Sequence, residues 1–208
     1  MRAARERHPL AQALEVFREQ NLRRAFLFSG MLFLSGFAVI PFISPYMVAN
    51  VGVREAQLPL LYLVGGALTL AVVRLVGRLT DLHGKQRMFT LVACASVVAI
   101  LNLTHLPRAS IYLAVASSAF MMSMMSGRFV PAMALITASV APRLRGSFMS
   151  FNSSVQQFAS GAAWFGASLM IGRNAAGELT HYGAVGLLAV GATLASIALA
   201  RRIQGAAH

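Results

Sequence analysis

Arg128 is the only charged residue in the stretch 109–140. Pro131 follows three positions later. It has no N–H to bond the Gly127 carbonyl, and its ring crowds that turn, so a helix here is expected to bend beside Arg128. A cation next to freed carbonyls suits a cavity wall that holds an anionic group or couples to proton movement. It suits equally an arginine that snorkels, or that satisfies those carbonyls for structure alone. Asn152, Ser153 and Gln156, at i, i+1 and i+4, share one helical face. Their uncharged polar groups can hydrogen-bond a substrate or join helices. Pro41 and Pro45, four apart, free the carbonyls of Phe37 and Pro41, as in broken helices that line cavities and gates; plain curvature is the other reading. The polar stretch from Gly77 to Arg87 holds Asp81, one of six acidic residues in the chain. An unpaired carboxylate at a membrane edge is costly, so Asp81 needs a partner. Arg74 can pair with it or snorkel to the interface.

Other chemistry is absent from the pattern. There is no HExxH, no phosphate-binding glycine loop and no dinucleotide fingerprint. No metal or cofactor site is expected. The single cysteine, Cys94, excludes an intramolecular disulfide and a cysteine metal cluster. Gly166-Ala167-Ser168 is similar to the Gly-x-Ser of rhomboid intramembrane proteases, which need a histidine inside a later span to activate the serine. His8, His83, His105, His181 and His208 all fall at or outside span ends, so an enzyme is not expected.

The elements that position these residues follow from composition. Of 208 residues, 57% are apolar and 12% charged, with a mean hydropathy of +0.67. Soluble domains carry about twice that charge, so the chain reads as an all-α integral membrane protein. Six apolar runs approach the about 20 residues needed to cross a bilayer: 25–49, 58–76, 88–106, 109–140, 148–172 and 182–200. Residues 1–24 form a basic segment in which Leu10, Ala13, Leu14 and Phe17 follow helical spacing. That segment is either a surface amphipathic helix or a partly disordered tail. Residues 203–208 form a short tail. Ala159 with Ala163, and Gly191 with Ala195, are small pairs suited to close helix packing.

A net charge of +12 would point a soluble protein toward nucleic acid. Here the basic residues sit in loops between apolar runs, without interleaved aromatics, and no nucleic-acid partner is expected. With the N-terminus cytoplasmic, thirteen Lys and Arg fall inside and three, Arg54, Arg108 and Arg173, outside. That asymmetry orients both termini, and the Gly77–Arg87 stretch, toward the cytoplasm of a bacterial-type inner membrane.

Gly77, Leu79, Asp81, Gly84, Lys85 and Arg87 match a pattern that resembles motif A of the major facilitator superfamily. There the motif lies on the cytoplasmic side between the second and third span of a six-helix half, as it does here. Ser126–Pro131 and Pro142–Gly146 also look like the fourth and fifth spans of the multidrug and sugar efflux branch, and residues 1–24 resemble the linker between halves. The resemblance implies six transmembrane helices forming the C-terminal half of a major-facilitator-type bundle. It implies a small-molecule substrate moved by alternating access on an ion gradient, with motif A as the gate. The motif's aspartate would contact the cytoplasmic start of a helix in the opposite half, and Arg145-Gly146-Ser147 would receive the reciprocal aspartate. The implied partners are the lipid bilayer and a second six-helix half, as a separate chain, a missing N-terminal half or a second copy. A structural or assembly protein built from an orphaned half shares every feature except turnover.

Overall fold

The computed structural model describes residues 19–205. Most of the basic segment 1–24, with its apolar stripe, and the end of the 203–208 tail lie outside the described residues. Among the described residues the chain is all-α apart from one two-stranded hairpin.

Helix α1, Gln20–Phe37, stops four residues before Pro41. The chain continues as a 3-10 turn at Ile40–Phe42, one α turn at Ile43–Tyr46 and a π turn at Met47–Val51. The first run is therefore longer than 25–49, and broken, because the two prolines remove the donors that would have carried one ladder through. After a short 3-10 turn come α2, Leu58–His83, and α3, Lys85–Thr104. Gly84 alone joins them, at φ 89° and ψ 145°. The expected loop over Gly77–Arg87 is thus not a loop. Gly77 is helical, and α2 runs seven residues past the expected end at 76, because its polar side chains sit comfortably on a helix emerging from the apolar zone. The reversal is confined to Gly84, in a conformation open essentially to glycine alone.

The stretch 109–140 is not one helix either. It divides into α4, Ile111–Gly127, and α5, Phe129–Ala138, with the interruption at Arg128. Helix α6, Arg145–Met170, follows, and α7, Tyr182–Ala200, closes the bundle. Between them, β1 (Gly172–Arg173) pairs antiparallel with β2 (Leu179–Thr180). Among the described residues five segments are long and apolar enough to cross a membrane: Gln20–Val51, Glu55–His83, Lys85–Thr104, Ile111–Ala138 and Tyr182–Ala200. The sixth, α6, has 26 residues and ample length but is too polar to join them.

The helices pack in the spatial order α2, α4, α3, α7, α1, α6. Among the described residues two main apolar cores fill the bundle, beside a small third cluster of Val76, Met88 and Val92 between α2 and α3. One, at the end carrying the Gly84 elbow, contains Leu22, Phe28, Phe89, Ile136, Phe148 and Ile197. The other contains Tyr46, Met47, Ile100, Leu103, Met125 and Tyr182. Aromatic contacts tighten the first: Phe26 stacks on Phe148 at 4.5 Å, and Phe28 meets Phe89 edge-on at 4.9 Å.

Candidate functional site

Between the two cores lies a thin polar layer centred on Arg128, which has no accessible surface. Its Nη1 donates to Thr193 Oγ1 at 3.1 Å and, more weakly, to Ser96 Oγ at 3.4 Å. Its Nη2 donates to Ser35 Oγ at 2.7 Å and to the Leu32 carbonyl at 3.3 Å. Each hydroxyl spends its own proton on a backbone carbonyl one turn back: Ser35 on Leu32, Ser96 on Ala93, Thr193 on Ala189. Their lone pairs are then left for the guanidinium. The arginine ties α1, α3 and α7 to the α4–α5 junction through neutral acceptors. Among the described residues no carboxylate reaches it, and its Nε has no partner.

The bend at Arg128 has a local cause. Pro131 cannot bond Gly127, while Ala132 N still bonds the Arg128 carbonyl at 3.3 Å. Pro131 itself is buried. The expected cavity wall is not open here: Arg128 lies inside the six-helix body, sealed from solvent, because three helices close over it.

The polar residues of α6 divide. Asn152 is buried, and Gln156 reaches α1, where its Nε2 donates to Ser29 Oγ at 3.1 Å. Ser153 is exposed and bonds only the Met149 carbonyl. The three residues expected on one face therefore meet different surroundings. A step of 100° per residue turns Ser153 outward when Asn152 and Gln156 pack against α1. Outside, Ser150, Ser153, Ser154, Gln157, Gly161, Trp164 and Ser168 form a continuous exposed stripe along α6. Four of its serines bond their own helix carbonyls. Gln157, at the middle of the helix, has no hydrogen bond among the described residues. The spacing of these serines was the signal for the stripe, and reading Asn152 and Gln156 as its centre hid it.

Pro41 is exposed, and Pro45 lines an outer groove with Ser44, Glu55 and Arg173. The break above Phe37 is braced by Tyr182, whose hydroxyl donates to the Val39 carbonyl at 3.1 Å. Tyr46 donates to the Leu106 carbonyl at 2.9 Å. Asn50 grips the hairpin by a reciprocal pair with Leu179, both at 2.9 Å. Glu178 meets Arg108 at 3.3 Å. Bonds from Asn174 and Arg108 hold its carboxyl below its ordinary pKa. Together these contacts make a cross-linked end opposite the Gly84 elbow.

At the elbow, Gly77, Asp81, Gly84, Lys85 and Arg87 lie within eleven residues. Asp81, Lys85 and Arg87 are exposed and have no hydrogen bond or ion pair among the described residues. Arg74 is exposed, and of its two expected roles the pairing with Asp81 is absent among the described residues. Ser168 of the Gly-Ala-Ser segment donates to the Phe165 carbonyl at 2.7 Å, with no histidine on it. No known protein-family model matches this chain, and no curated protein is significantly similar to it.

Proposed function

We propose that this chain is one six-helix half of a secondary active membrane transporter, an efflux-type permease working by alternating access on a proton gradient. The observation that carries the reading is Gln157. It is an unpaired primary amide at the midpoint of a 26-residue helix, facing away from the bundle. An amide in hydrocarbon without a partner costs several kcal/mol by order of magnitude, so water, substrate or a second helical body must face it. The polar stripe of α6 then lines a pathway, and its polarity explains why α6 falls short of the other five helices in hydropathy. The likeness of Gly77–Arg87 to motif A, and the uncovered Asp81, point the same way, toward a second half across the pathway. In this reading Arg128 and Pro131 stiffen the half that moves, and Pro41 and Pro45 form its outer gate.

The small residues on the same stripe favour a second reading, an assembly protein whose α6 packs dry against a partner. Gln157→Cys in a Cys94→Ser background separates the two. A membrane-impermeant maleimide applied to right-side-out and inverted vesicles should label Cys at this position from both faces. Labelling from neither face would overturn the transporter reading and leave the dry interface.

A further inference from the structure

Two grooves open on the surface of the bundle near the Gly84 elbow, and α3 forms a wall of each. One, of about 730 Å³, lies between α3 and the end of α7 and is lined by Gln86, Arg87, Thr90, Leu91, Cys94 and Arg201. The other, of about 520 Å³, lies between α2 and α3. Its walls include Leu75, Val76, Leu79, Met88, Val92 and Met124, with His83 and Arg87 at its mouth. Arg87 and Leu91 belong to both. Each groove is therefore apolar along its length and cationic at one end, and the two share that end.

The cationic end is held in place. Gln86 Nε2 donates to the Ala200 carbonyl at 3.3 Å, which sets the first turn of α3 beside Arg201. The guanidiniums of Arg87 and Arg201 make no hydrogen bond or ion pair among the described residues, and both residues are exposed. Arg87 lies in the first turn of α3, where the helix dipole also favours an anion. Cys94 and Ala95 lie two turns further along, about 12 Å at 1.5 Å per residue.

We propose that these grooves hold one anionic diacyl phospholipid astride α3. Its phosphate lies between Arg87 and Arg201, one acyl chain runs in each groove, and Leu91 forms the ridge between them. Charge complementarity selects the lipid: two free guanidiniums, Arg87 where the grooves meet and Arg201 on the wall of the first, match a phosphodiester with no compensating ammonium. A zwitterionic headgroup would bring its own cation against them. The positive-inside asymmetry places this mouth at the leaflet where anionic lipids concentrate. The inference rests on the membrane-spanning character of the helices, not on transport.

Native mass spectrometry of the full chain, purified in detergent and exchanged with equimolar phosphatidylglycerol and phosphatidylcholine, tests it. The wild type should retain one phosphatidylglycerol in preference to phosphatidylcholine. Each of Arg87→Gln and Arg201→Gln should weaken that retention about fivefold, the typical worth of one basic residue at an anionic surface. The pair Arg78→Gln and Lys85→Gln removes twice the charge of either single variant from exposed positions outside both grooves, and should leave retention unchanged. Helix content by circular dichroism confirms that each variant is folded. Loss from the Arg78→Gln and Lys85→Gln pair equal to the loss from Arg87→Gln or Arg201→Gln, or equal retention of the two lipids by the wild type, would overturn the proposal.

Discussion

Arg128 Nη2 donates to Ser35 Oγ at 2.7 Å, and Ser35 Oγ in turn donates to the Leu32 carbonyl at 3.0 Å. The same relay recurs through Ser96 and Thr193. A formal cation is thus neutralised by no carboxylate but solvated by side chains whose protons are already committed. The cage residues fall between the two apolar cores on each helix, so the polar layer is a seam where four segments register against one another.

The seam predicts an unusual order of substitution costs. Arg128→Met removes the charge and leaves every hydroxyl still bonded to its carbonyl, so unfolding stability should change by no more than about 2 kcal/mol. Arg128→Lys keeps the charge but replaces a planar fork with one nitrogen that cannot serve Ser35 and Thr193 together. It should cost more, on the order of 3 kcal/mol. Thermal unfolding in detergent measures both, and a milder effect of lysine than of methionine would contradict the cage.

Helices α3 and α7 approach closely at Gly186, where an added Cβ would lie 2.8 Å from Thr104 Cβ. Thr104 is buried, β-branched and bonded to the Ile100 carbonyl, so it cannot swing aside. Gly186→Ala should cost about 1–3 kcal/mol. At Gly65 the added carbon would meet Met122 Sδ at 2.6 Å, part of a flexible thioether chain. Gly65→Ala should therefore be tolerated far better, since Thr104 Oγ1 lies closer still at Gly186 and belongs to a side chain that cannot move away. Comparing the two melting temperatures checks the difference, and equal losses would contradict it.

Much of this architecture was legible in the sequence. The apolar runs located every long helix among the described residues, and Pro131 located the interruption at Arg128, because a missing N–H acts within one turn whatever surrounds it. What was not legible depended on neighbours. Gly77 through His83 looks like a loop by polarity alone, yet helical hydrogen bonds do not require an apolar exterior, and only Gly84 needs a special backbone. Asn152 and Ser153 are adjacent polar residues. Which of them turns inward was decided by the contact of α6 with α1, far away in sequence. Arg128 was recognisable as unusual, but its ligands come from three other helices and no local spacing announces them.

The hairpin after α6 gives a pH signature. Glu178 has a folded pKa below its ordinary value, held there by Asn174 and Arg108. Its contribution to the hairpin is therefore present above the ordinary carboxylate pKa and lost as pH falls through the depressed folded value. Amide exchange at Ala176 and Glu178, which both donate to Asn174 Oδ1, should quicken over that acidic window beyond the intrinsic rate. Glu178→Gln should remove the pH dependence. A window unchanged in the variant would assign the effect to another group.

Gly84 carries a backbone strain test of the elbow. At φ 89° and ψ 145° nothing lies within 4 Å of an added Cβ, so Gly84→Ala meets no clash and reports the torsion alone. The cost should be about 1–3 kcal/mol. Loss should be local, seen as faster proteolysis between Leu82 and Lys85 with little change in the melting of the rest. A neutral substitution would mean that the elbow relaxes to another conformation.

Asp81 bears on the proposed gate. It is exposed and without a partner among the described residues, so Asp81→Asn removes nothing from the fold of this half and should move unfolding stability by less than about 0.5 kcal/mol. If a second half supplies a helix start for this carboxylate, the attraction of carboxylate to helix N-terminus holds the inside closed, and typically amounts to a few tenths to about 1 kcal/mol. Asn keeps the shape and loses the charge. The closed state is then destabilised by that amount, and the balance between inward- and outward-open forms shifts about two- to fivefold. In the Gln157→Cys background, labelling from the cytoplasmic face should rise and labelling from the outer face should fall. Because the stripe of α6 is untouched, substrate affinity should change less than the switching rate. An unchanged labelling ratio, with stability also unchanged, would mean that no second half receives Asp81, and the gating role of the Gly84 elbow would be lost with it.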